Sequence, residues 1–173
     1  MESSGAREYI GKHSVCMLTD EVKYIHPFSN MISRVSEAPI VIKTNKDIVP
    51  ESKLSGVKNF SITTYVEFYD YFHGFTDIYE TGDKIILPYF NEECTIVDKR
   101  TMTCKCYRLG ENRATIFPLF KVVGVRGNKI LSILSQDDIR DIVDGTCDFK
   151  GKDSLIQAQN SSDDDYVLVE VEL

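Results

Sequence analysis

A chain of 173 residues with 42% hydrophobic and 27% charged residues is long enough to bury its own core as one domain. It contains no apolar run of about 18 residues, so no segment reads as a membrane-spanning helix. Its net charge of −7 excludes a generic electrostatic grip on duplex nucleic acid.

The acids are unevenly placed. Asp163, Asp164, Asp165, Glu170 and Glu172 crowd the last fourteen residues without a base, which leaves 22 acids against 20 bases, a net of −2, in the rest. A body so nearly neutral can hold a strand end by local contacts. The five cysteines are odd in number and irregularly spaced, which predicts free thiols in a reducing compartment. The opening Met1–Arg7 lacks the basic start and apolar stretch of a signal peptide, so the expected location is intracellular and cytoplasmic.

In chain order, residues 1–12 read as a loose lead-in and His13 to Tyr24 as a weak strand, broken at His26-Pro27. Phe28, Met31, Ile32 and Val35 fall at helical spacing and predict a short helix over 28–35. Ile40-Val41-Ile42 is β-branched and predicts a strand. Residues 45–56, with Pro50 and Gly56, predict a loop or loose hairpin. Phe60, Ile62 and Thr64 alternate like a strand, whereas Tyr65, Phe68, Tyr69 and Phe72 take helical spacing. The expectation is a strand to about 62, then an aromatic helix over 63–73 with Gly74 as its left-handed cap.

Thr81-Gly82-Asp83 turns into a strand over Lys84 to Leu87, ended by Pro88. Strands follow at 93–98 and 101–109, joined by the charged tip Asp98-Lys99-Arg100, then at 114–117, 120–125 and 129–134. A helix is predicted over 136–144. Ser135 and Asp138 form a capping-box-like start, Ile139, Ile142 and Val143 the buried stripe, and Gly145 the stop. The organisation expected is a lead-in at 1–12, one domain over 13–145, a polar acidic linker over 146–165 and a strand or peptide motif at 166–173. The fold class is α+β, mainly β, in the form of a small antiparallel barrel with two or three short helices.

Tyr65-Val66-Glu67-Phe68-Tyr69-Asp70-Tyr71-Phe72-His73-Gly74-Phe75 and Ile116-Phe117-Pro118-Leu119-Phe120-Lys121-Val122-Val123 resemble two stretches of the PAZ domain of Argonaute and Piwi proteins, over roughly residues 48–144. The resemblance implies an oligonucleotide-binding-like barrel with an inserted αβ flap. Their cleft would take the 3′ end of a small single-stranded RNA, in an RNA-silencing role without catalysis. By that resemblance Phe68 and His73 fall at the family's two tyrosines and Phe117 at its apolar contact, with Tyr65 and Tyr69 alongside. Stacked rings and hydrogen-bonding imidazole suit unpaired bases and phosphate. Phe68 brings no hydroxyl.

Lys99, Arg100, Lys105, Arg108 and Arg113 form a basic hairpin that either tracks a nucleic-acid backbone or keeps a sheet edge solvated. Cys104 and Cys106 share one face of a strand near Cys94, but zinc wants a fourth ligand, so buried thiols are expected and no metal or cofactor. No enzyme signature is present. The tail Ser161 to Val169 resembles a peptide that docks on ubiquitin-like modifiers, with Tyr166 and Val169 as anchors and acids meeting a basic partner. The alternative within the tail is a strand of the domain's own sheet. At the level of function, the alternative to RNA binding is a protein-interaction adaptor that uses the aromatic helix or this tail.

Overall fold

In the computed structural model the described residues are 15–18, 21–55, 57, 66–89, 93–108, 121–144, 151–161 and 165–172. They are mainly β with short helices, in three antiparallel sheets. The first sheet runs in chain order through β1 (Val15–Leu18), β2 (Glu21–Ile25), β3 (Met31–Arg34) and β4 (Ile40–Val41). The second does the same through β5 (Tyr79–Glu80), β6 (Lys84–Tyr89), β7 (Glu93–Asp98) and β8 (Thr103–Arg108). Each is a four-stranded meander, the unit that radially repeated β folds also use. The third sheet has three strands in the order β11-β10-β9, from β9 (Val122–Arg126), β10 (Lys129–Ser135) and β11 (Tyr166–Glu172). The sheets are separate, and the expected barrel does not close among the described residues. The short helices are α1 (Glu51–Leu54), α2 (Gln136–Asp144) and α3 (Lys152–Ser161).

The chain divides into two compact units where the sequence predicts one domain over 13–145. In the first unit (Met1–Glu80 with Ile86–Asn91) the helix expected over 28–35 is replaced by a turn and β3. The cause is local. Phe28 follows Pro27 with a positive φ of 57°, and its ring is buried, so the chain leaves the helical region where the helix would begin. From there Ile32 packs inward with no exposed surface, and alternation rather than helical spacing sets the buried face. Lys23 is buried on β2, its amine 3.0 Å from Glu80 and 2.5 Å from Glu21. Burial opposes the charged amine, but hydrogen bonds and charge from Glu21 and Glu80 outweigh it and raise its pKa.

β6 runs on through Pro88 to Tyr89 rather than stopping at the proline. The Pro88 carbonyl accepts the Thr76 amide at 2.9 Å, and Phe75 bridges to Tyr89, so the chain stays extended there. In the second unit (Thr81–Ile85 with Glu92–Leu173) the core is Leu134, Ile139 and Ile142, with Val143, Leu155, Val167 and Val169 packed against it. α2 starts in the expected capping box. The Ser135 amide donates to Asp138 Oδ2 at 2.9 Å, and the Asp138 amide to Ser135 Oγ at 3.1 Å. The stretch read as a linker over 146–165 contains α3, which Leu155 ties to the α2 core. A polar composition hid one anchoring leucine.

Candidate functional site

Of the helix expected over 63–73, Val66 and Glu67 are helical and hydrogen-bonded turn follows from Phe68, while residues 63–65 lie outside the described residues. Two short-range bonds, Tyr69 N to Val66 O at 3.3 Å and Tyr71 N to Phe68 O at 2.8 Å, close a single turn. The next amide leaves for another segment, as Phe72 N donates to Asp47 O at 2.8 Å. His73 O then accepts Phe28 N at 2.8 Å. Gly74 has the expected positive φ, 91°, but it serves a close approach rather than a helix end. A Cβ there would lie 2.7 Å from the Phe28 amide nitrogen.

This path buries most of the rings. Phe68 is 3% exposed, edge-on to Phe28 with centroids 6.0 Å apart, in a cluster with Val49. Phe72 stacks on Tyr89 at 4.8 Å and meets Phe75 edge-on. His73 is 6% exposed, and its Nε2 donates to the Phe68 carbonyl at 2.7 Å. Burial lowers its pKa against the pull of that bond, and Lys46 adds to the lowering, so the ring is held neutral. Of the expected cleft of Tyr65, Phe68, Tyr69, His73 and Phe117, Phe68 and His73 are buried and Tyr69 is exposed. The two buried side chains hold the turn together from inside. Tyr65, Phe117 and Arg113 lie outside the described residues.

Tyr69 is the exposed member, at 63%, and Lys46 lies over its ring at 4.8 Å while donating to its carbonyl at 2.9 Å. Lys53 repeats the arrangement on Tyr71, 4.8 Å from the ring centre and 2.9 Å from the hydroxyl. Beside them an open groove of about 760 Å³ is lined by Asn30, Lys43, Lys46, Asp47, Pro50 and Tyr71, among others. Its one ring, Tyr71, belongs to neither the alternating nor the helical set, so no periodicity marks it.

The basic hairpin keeps only part of its charge in solvent. Lys99 folds back, its amide bonded to Asp83 O at 2.8 Å and its amine to Thr81 O at 3.2 Å. Arg100 and Lys105 are exposed, with Lys105 over the Tyr107 ring at 4.9 Å, and Arg108 ends β8. The tip is pinned by Asp98, whose carboxylate accepts the Thr101 and Arg100 amides at 2.9 and 3.0 Å. These bonds, from Thr101 first, lower its pKa. Of the strand cysteines only Cys94 is buried as expected. Cys104 and Cys106 are exposed, and Cys94 pairs with Tyr107 rather than with either of them. No group of three or more potential metal ligands forms among the described residues.

The tail takes the strand alternative. β11 pairs with β10 over seven residues, from Ser135↔Tyr166 to Lys129↔Glu172. Val169 packs on the Leu134–Ile139–Ile142 core, whereas Tyr166 is 65% exposed and Leu168 61%. The two expected anchors sit on opposite faces, as a separation of three dictates in a strand. The open face instead carries Tyr166 and Leu168 with Ile133, which is 40% exposed and directly opposite Leu168. Glu170 on β11 joins Arg126 and Lys129 in an ion-pair network beside them. Leu168 and Ile133 were missed by a motif that looked only at every third residue.

No family model matches the chain. No curated protein matches it either. Among solved structures it is similar to a "putative exported protein" of Bacteroides fragilis NCTC 9343, at 20% identity and a TM-score of 0.65, over 92% of this chain and 49% of that one. The likeness shows the fold, and the chain spans about half the length of that neighbour. The intracellular, cytoplasmic location expected from the cysteines and the first residues does not stand beside it, because the neighbour is described as exported. Among the described residues no helix is long and apolar enough to cross a membrane.

Proposed function

We propose that this chain is a non-enzymatic protein-interaction module that docks a partner on the open face of the β9–β10–β11 sheet, and that it does not hold an RNA 3′ end. The observation that carries this reading is the apolar patch of Tyr166, Leu168 and Ile133 on a face opposite the helix-covered core. A patch of that kind, bordered by charges, is how interaction surfaces are built. Here the border is Arg126, Glu170 and Lys129. The RNA reading needs rings facing a cavity, and Phe68 and His73 are buried instead.

A photo-crosslinker placed at Tyr166 tests this. It captures a polypeptide that the same label at Arg100 does not, and Leu168→Lys abolishes the capture. In parallel, a labelled short RNA shows no binding that depends on a free 3′ end. RNA binding that is lost on blocking that end, with no polypeptide captured at Tyr166, overturns the proposal.

A further inference from the structure

Long, flat, unprotected strand edges invite pairing, and proteins usually blunt them with shortness, charge (lysine above all), proline or irregularity. Most edges here are blunted. β4 and β5 have two residues each and β1 has four. β8 carries Lys105 and Arg108. β9 carries Gly124 and Arg126, and its pairing with β10 slips between Leu131 and Ser132. β11 is the least protected, its only such device being the acids Glu170 and Glu172 toward one end. It is seven residues long, Tyr-Val-Leu-Val-Glu-Val-Glu, with no proline, glycine or lysine, and its register with β10 is unbroken. Among the described residues its sheet has three strands where the other two have four.

We propose that β11 takes a fourth, antiparallel strand along the edge that no described strand covers, supplied by a partner protein as an extended segment that alternates apolar and basic residues. Main-chain hydrogen bonds would give the affinity and alternate side chains the specificity. The basic requirement follows from charge. Asp165 and Glu172 are exposed at the two ends of the strand, and the chain as a whole carries −7. A second copy would bring the same acids and the same net charge to the edge, which disfavours it as the occupant. The inference rests on reading the β9–β11 sheet as a docking surface, but on its edge rather than its face.

The test uses the whole chain and a synthetic peptide that alternates lysine and valine, matched to β11 in length. A control peptide has proline at every second position. The lysine–valine peptide is expected to slow hydrogen exchange at alternate β11 amides and to bind more weakly as salt rises. Glu172→Lys is expected to weaken it several-fold, and the proline peptide not to bind. Leu168→Ser, which adds no charge to the strand, should leave this edge protection in place even where it removes the partner captured at Tyr166, which separates failure of the edge from failure of the face. Unchanged β11 amides, equal binding of the proline peptide, or β11 amides already protected by self-association overturn the proposal.

Discussion

Residues 66–75 and 166–172 are both rich in rings and β-branched or aliphatic side chains, and the fold treats them oppositely. In the first, the backbone spends its hydrogen bonds on distant segments, Phe72 on Asp47 and His73 on Phe28, and this turns the rings into the core. In the second, every backbone bond to β10 is regular, so alternate side chains must face solvent. Aromatic density alone does not make a binding surface. A regular strand with one covered face leaves the other open, because periodicity forces half its residues outward.

Substitutions sharpen that contrast, beginning with the largest effect. Phe68→Ala removes a buried ring and is expected to cost about 3–5 kcal/mol, seen as a lower denaturant midpoint. Gly74→Ala puts a Cβ against the Phe28 amide at a positive φ, and a loss of about 1–3 kcal/mol is expected in the same assay. If either variant is as stable as the parent, the aromatic turn is not the structural element described. Ser135→Ala removes one half of the α2 capping box and is expected to cost about 1 kcal/mol.

His73 adds a pH dependence with a definite sign. Its folded pKa lies below the ordinary value near 6.5, so the unfolded chain binds more protons in that range. Stability is full above about pH 6.5 and declines as pH falls through that value toward the lowered folded pKa. His73→Gln should flatten this slope in urea titrations at stepped pH, while the parent keeps it. The smallest stability effect belongs to Leu168→Lys, within about 0.5 kcal/mol, because the side chain is exposed. Its effect on partner capture should nonetheless be complete.

Much of the β architecture was legible in the sequence. The strand at 93–98, the turn at Asp98-Lys99-Arg100 and the Ser135–Asp138 cap appear as their local signals dictate, since turn and cap chemistry act over a few residues. The segment around Phe28 was misread, and the helix at Val66 and Glu67 gives way to turn from Phe68. Both segments have helical spacing, but a long-range bond joins Phe28 to His73, and spacing carries no information about a partner 45 residues away. The groove residue Tyr71 and the surface residue Leu168 left no motif. Each is defined by what covers its neighbours, which only the packed structure reveals.

Amide hydrogen exchange on the free chain tests the contrast between the two stretches most directly. The account predicts slow exchange at Phe28, Tyr71 and Phe72, whose amides are bonded to His73, Phe68 and Asp47, and fast exchange at alternate amides of β11 along the edge that no described strand covers. Rapid exchange in the aromatic turn together with uniform protection along β11 would contradict it.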